Sequence, residues 1–163
     1  MKSVRLLELN RKNPLRKPVY DFVLNLAHNP SPGSAFEKKA RILQWLPNPA
    51  LIRLLKAMKY DGLVLVDNNR IVCSVLFQRH GSALHMFSIQ TETPYQNRGI
   101  AFQELKRFIE YAKTVHGITH VRLGAGKNPS MNRLYERFRG KEQEMGITLL
   151  KDGWVELKRP TSH

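Results

Sequence analysis

Between residues 63 and 78 the apolar positions fall in two short β-branched runs, 63–66 and 71–78. Asp67-Asn68-Asn69 separates them, which predicts a β-hairpin. His80-Gly81-Ser82 then turns the chain into a third run from Ala83 to Ile89. Its apolar residues, with His85 among them, alternate only loosely, as expected of a strand covered on both faces. Thr91 to Tyr95 break this strand, because Pro94 cannot continue a ladder. From residue 102 the period changes: Phe102, Leu105, Phe108, Ile109 and Ala112 recur at helical spacing, and Gly117 marks the stop. A strand over 119–123, a short helix over 130–139 and a terminal hairpin over 147–150 and 154–157 complete the pattern. The last is joined by Lys151-Asp152-Gly153, an Asp-Gly turn.

The first third of the chain is mostly helical in pattern. Residues 4–9 predict a first strand, and 10–17 a basic linker holding Arg11, Lys12, Arg16 and Lys17. Residues 19–27 predict a helix, and 28–33 a Pro- and Gly-containing loop. Ser34-Ala35-Phe36-Glu37 is a capping box opening a helix to about residue 46. Asn48 and Pro49 open another to about residue 59, with Leu51, Leu54, Leu55 and Met58 on one face and Arg53, Lys56 and Lys59 on the other. Residues 159–163 are expected to be a loose tail. The whole, residues 1–163, is expected to form one domain with its own core.

Composition narrows the class. A hydrophobic fraction of 42% and a charged fraction of 25% suit a globular protein. The apolar runs are too short for a membrane span, and Lys2 and Arg5 precede no stretch suited to a signal peptide. A cytoplasmic protein with no membrane partner is therefore expected. Cys73 is the only cysteine, which excludes an internal disulfide and any multi-cysteine metal centre. The histidines at 28, 80, 116, 120 and 163 form no ligand spacing, so no metal is expected. Twenty-seven Lys and Arg against 13 Asp and Glu leave a net charge of +14. Such a surplus attracts anionic partners.

The segment Gln96-Asn97-Arg98-Gly99-Ile100-Ala101 lies between the strand ending near Ile89 and the helix that follows. The first N–H groups of a helix lack intrahelical partners and the helix dipole favours negative charge there, so this junction is a candidate phosphate site. Gly99 lets a phosphate approach the backbone closely. In this setting Gln-x-x-Gly-x-Ala resembles the pyrophosphate loop of the GNAT acyltransferase superfamily, whose pattern is Gln/Arg-x-x-Gly-x-Gly/Ala. The element order of nearly the whole chain resembles that family too. The resemblance implies an α/β (α+β) fold, a mixed central sheet flanked by helices in α-β-α layers.

It also implies an acyl-CoA-dependent N-acyltransferase, with acetyl-CoA as donor and direct attack of the acceptor amine on the thioester. Residues 96–101 would hold the pyrophosphate, and the strand around Ile89 would present backbone to the pantetheine. Asn128 and Tyr135 have the family's Asn-x6-Tyr spacing, with Leu134 before the Tyr and Glu136 after it. By resemblance, Asn128 helps hold the pantetheine arm and Tyr135 protonates the departing thiolate, a task that suits a phenol. Met131, Arg139 and Gly140 depart from the family pattern. His85, eleven residues before Gln96, stands where several members carry a catalytic Glu. Its side chain titrates near 6.5 unperturbed, within reach of a base role. Glu92 and water are the alternatives. A second reading is a basic GNAT-fold protein that binds or modifies RNA, DNA or a nucleic-acid-bound or acidic protein.

Overall fold

In the computed structural model, residues 1–5, 50, 53, 57, 60–68, 70–123 and 129–158 are described. They contain strands β1 (Lys2–Arg5), β2 (Tyr60–Asp67), β3 (Arg70–His80), β4 (Ala83–Thr91), β5 (His120–Arg122), β6 (Ile147–Leu149) and β7 (Trp154–Leu157). Helix α1 spans Ile100–Thr114 and α2 spans Pro129–Glu136. The strands form one sheet in the order β1-β2-β3-β4-β5-β7-β6. Every neighbouring pair is antiparallel except β4 and β5, which run parallel with α1 as the crossover between them.

The expected helices at 19–27 and 34–46, the basic linker and the tail lie outside the described residues. So do most of the 48–59 helix and the end of the first strand, which begins at Lys2 rather than residue 4. Arg53, on that helix, is exposed.

Local chemistry explains the elements. Asn68 takes φ +46 in the turn between β2 and β3, a conformation Asn tolerates better than most residues. Asp152 and Gly153 take φ 56 and 74, so the Asp-Gly turn between β6 and β7 forms as expected. Helix α2 stops earlier than the pattern suggests. Its last turn tightens, with Phe138 donating to Tyr135 and Arg139 to Glu136.

Leu105, Phe108, Ile109 and Ala112 of α1 are fully buried against Val75, Phe77, Leu84 and Met86 of the sheet. Phe77 and Phe108 sit with ring centroids 5.0 Å apart. Phe138, just past α2, is also fully buried and packs on Phe102 at 4.8 Å. These large side chains hold α1 and α2 to the same face of the sheet, each stabilising by about 1.5–3 kcal/mol through burial.

Glu104 is the exception in this stripe. It is fully buried, its Oε1 contacts the Arg107 guanidinium, and its Oε2 has no hydrogen-bond partner among the described residues. Burial raises its pKa, opposed in part by Arg107. The folded protein then holds this proton more tightly than the unfolded chain. Stability is lost as pH climbs from the ordinary carboxylate value toward the raised one. Glu104→Gln removes the titration. Its melting temperature relative to wild type is expected to rise between pH 4.5 and 7. A constant difference across that range in thermal unfolding would show that Glu104 does not titrate differently on folding.

A candidate active site at the fork between two strands

β5 pairs with β4 at only three positions, Ala83 with His120, Leu84 with Val121 and His85 with Arg122. Beyond them the strands part. Leu123 donates instead to the carbonyl of Gly153 at 2.8 Å, drawing the end of β5 toward the terminal hairpin. β4 also bends here. Leu76 pairs with Ser88 and Phe77 with Met86, so Phe87 is the extra residue of a β-bulge. The second half of β4 therefore has no strand beside it on the β5 side among the described residues. Its burial shows this: Ala83, Leu84 and Met86 are buried, whereas residues 87–91 are half-exposed. A strand covered on both faces was expected from Ala83 to Ile89, and residues 87–89 are instead only partly buried. A fork in the sheet exposes half of it.

After Thr91 the chain makes one 3-10 turn, Thr93–Tyr95, with Pro94 near its start. The Gln96 side chain donates back to the Thr91 carbonyl at 3.1 Å, tying the loop to the strand it has just left. Asn97 and Gly99 take φ 60 and 76, which turns the backbone sharply into α1. Gly99 is the N-cap, and its carbonyl accepts from Gln103 at 3.2 Å. Among the described residues no side chain caps this helix start, and no acidic residue occupies its first turn. A Cβ built on Gly99 meets no atom within 4 Å. The helix N-terminus thus opens onto clear space with its donors available, the geometry that favours an anion.

That space belongs to a cavity of about 550 Å³. Ile89, Gln90 and Thr91 of β4 form one side, Gln96, Asn97, Gly99, Ile100 and Ala101 another, and Met131, Arg133 and Leu134 of α2 with Arg137 just past its end a third. The cavity thus unites the loop with the exposed end of β4, including Ile89. Arg98 lies beside it, its guanidinium over the Tyr95 ring at 5.8 Å. Asn128 lies outside the described residues. Arg133 and Arg137 were not evident from sequence as site residues. Their spacing of four puts them on one side of the chain as it leaves α2, but only the docking of that helix shows which way this side points.

None of the three proton-transfer candidates is a wall residue of this cavity. The buried Tyr135 turns its hydroxyl to the terminal hairpin, donating to the Leu150 carbonyl, with the Trp154 carbonyl 3.4 Å away. Burial raises its pKa, a shift Arg139 opposes, so at neutral pH it holds its proton. His85 is the last rung before the fork. It points to the sheet face opposite α1, since Leu84 and Met86 on either side of it pack in the α1 core. Its ring lies 4.5 Å from that of His80 and edge-on to Trp154 at 5.1 Å. Burial, then His80 and Arg122, lower its pKa, so it is neutral at pH 7. Glu92 is at the other end of β4, where its N–H extends the ladder to the Val72 carbonyl. The structure does not bring His85 and Glu92 together.

The open helix start beyond the fourth strand is where the loop motif of residues 96–101 falls, as the resemblance noted above implies. The family model described as Acetyltransferase (GNAT) family matches residues 23–140, and the chain belongs to that family. No curated protein matches the sequence significantly. Among solved structures, a GNAT-family acetyltransferase from Streptococcus pneumoniae is 15% identical, with 95% of this chain and 96% of that one covered at a TM-score of 0.57. The ribosomal-protein-alanine N-acetyltransferase of Brucella melitensis is 16% identical over 85% and 91%, with a TM-score of 0.56. The N-acetyltransferase PseH of Campylobacter jejuni, solved with acetyl coenzyme A, is 14% identical over 97% and 98%, with a TM-score of 0.55. At these identities the likeness is one of fold, and it agrees with the mixed seven-stranded sheet and flanking helices seen here. Among the described residues no helix is long and apolar enough to cross a membrane.

Proposed function

We propose that the protein transfers an acetyl group from acetyl-CoA to an amine. The observation that carries this reading is the continuity of the cavity, which runs from the exposed half of β4 to the uncapped start of α1. One end offers strand backbone to an amide-containing chain and the other offers helix N–H groups to a pyrophosphate. The pantetheine lies along residues 88–91, with Asn128 as a further contact. The pyrophosphate sits on the N–H groups of residues 99–101, with Arg98 at its edge and Asn97 shaping the turn. Gln96 contributes by holding the loop in place. Known acetyltransferases of like fold support the donor, PseH having been solved with acetyl coenzyme A.

In the transfer, the acceptor nitrogen forms a bond to the acetyl carbon as the carbon–sulfur bond breaks. The nitrogen gives up a proton to a base and the thiolate gains one from an acid. Tyr135, protonated at neutral pH, is the proposed acid. His85, neutral and at the root of the fork, is the proposed base, with Glu92 or water in its place as the alternative. The surplus of positive charge suits an anionic acceptor or one carried on nucleic acid.

Calorimetry with acetyl-CoA tests the donor, and labelled acetyl-CoA in a fractionated cell extract then identifies what becomes acetylated. Absence of binding at millimolar acetyl-CoA would end the proposal. His85→Gln is expected to lower turnover by about 10²-fold, the low end for a positioned base. A base acts in its neutral form, so the wild-type rate should fall as pH drops through a value below 6.5. The variant should lack this inflection. If it keeps both rate and inflection, Glu92 or solvent takes the proton.

A further inference from the structure

Arg133 of α2 and Arg137, the residue just past its end, stand one helical turn apart, the Arg137 N–H still donating to the Arg133 carbonyl at 3.3 Å, and both line the cavity. No carboxylate pairs with either among the described residues. Glu136, which lies between them in sequence, pairs with Arg139 at 2.7 Å. The Arg137 guanidinium is held over the Phe102 ring at 4.3 Å, and the Lys141 ammonium lies over the same ring at 5.2 Å. Phe102 is itself buried and braced by Phe138. An arginine stacked this way is fixed through its face, while the edge carrying its N–H donors stays open to an anion. Two cations and a third behind them therefore bound a cavity whose other anion-attracting feature, the start of α1, is made of backbone.

A pyrophosphate on the α1 N-terminus leaves these guanidinium groups to a different anion. Coenzyme A carries one more: besides its pyrophosphate it has a phosphomonoester on the ribose 3′ oxygen. A phosphomonoester is close to doubly charged at neutral pH and matches the guanidinium fork in geometry. We propose that Arg133 and Arg137, backed by Lys141, form a second anion subsite that takes the 3′-phosphate of coenzyme A and makes the protein selective for it over 3′-dephospho-coenzyme A. This rests on the coenzyme A reading of the cavity.

The test is calorimetry at fixed ionic strength with coenzyme A and 3′-dephospho-coenzyme A, against wild type, the double variant Arg133→Gln/Arg137→Gln and the single variant Arg133→Gln. Both arginines are exposed, and Arg133 stacks on no ring among the described residues, so the single variant keeps the Phe102 platform intact. Wild type is expected to favour coenzyme A at least about tenfold, as charge-assisted hydrogen bonds to a phosphate supply. The double variant should bind both ligands alike, at the wild-type affinity for the dephospho form, and the single variant should fall between. Equal binding of the two ligands by wild type, or a preference that survives in the double variant, would overturn the subsite while leaving the coenzyme A reading intact. Binding of neither ligand by wild type would overturn both.

Discussion

Gly99→Glu is expected to weaken acetyl-CoA binding by 10²-fold or more while leaving the protein folded. The position argues for both halves of that outcome. Gly99 has φ +76, where a residue with a Cβ is strained by about 1–2 kcal/mol, but the added atom meets nothing within 4 Å. The fold therefore bears strain and no clash. A carboxylate at the first turn of α1 also favours the helix by about 0.3–1 kcal/mol, offsetting part of the strain. Its effect on the ligand is of the opposite sign. It fills the space before the helix N-terminus with the protein's own anion. Two like charges 4 Å apart near a protein surface repel by about 4 kcal/mol. Gly99→Asn separates charge from conformation, because Asn tolerates the left-handed region and carries no charge. Calorimetry is expected to show Gly99→Asn within about tenfold of wild type. Similar affinity in Gly99→Glu and wild type would place the pyrophosphate elsewhere.

Features set by a few adjacent residues were legible in the sequence. The hairpins of β2–β3 and β6–β7 were read from Asn68 and from Asp152-Gly153, since a turn that needs positive φ selects its residues locally. The entry to α1 was legible for the same reason, through Gly99. The long apolar stripe of α1 fixed its existence and its buried face.

What escaped depends on register and docking. The bulge at Phe87 has no signature within β4. It exists because β3 meets β4 in one register before residue 86 and another after residue 88. The fork arises from the shortness of β5, and with it the exposure of residues 87–91. A buried Glu104 inside α1 reads from sequence as a surface position, because carboxylates are almost never fully buried. Gln96 was legible as part of a loop motif. That its amide returns to the Thr91 carbonyl was not. Likewise the resemblance singled out Tyr135, but the partner of its hydroxyl lies fifteen residues further on, in a hairpin whose position no local pattern gives.

That hydroxyl is the subject of the second large effect. Tyr135→Phe keeps the ring in its buried place and removes one proton and one oxygen. If the hydroxyl only ties α2 to the terminal hairpin, the loss is that of one hydrogen bond, about 0.5–1.5 kcal/mol of stability, with turnover unchanged. If it also protonates the departing thiolate, turnover at saturating acceptor falls by about 10²–10⁴-fold, and acetyl-CoA affinity stays near that of wild type. The second result is expected. Burial raises the phenol's pKa from 10.0, so the donor form persists throughout the neutral range and is lost only above the ordinary tyrosine value. Its bond to the Leu150 carbonyl presents the proton at the end of the hairpin that β5 approaches through Leu123 and Gly153, beside the fork. A phenol's O–H can turn between its two in-plane orientations about the C–O bond, so the proton can leave the carbonyl for a sulfur that arrives there. The decisive measurements are single-turnover transfer rates and thermal unfolding on the same preparations. A destabilised variant that transfers acetyl groups at the wild-type rate would assign Tyr135 to packing and leave solvent to protonate the thiolate.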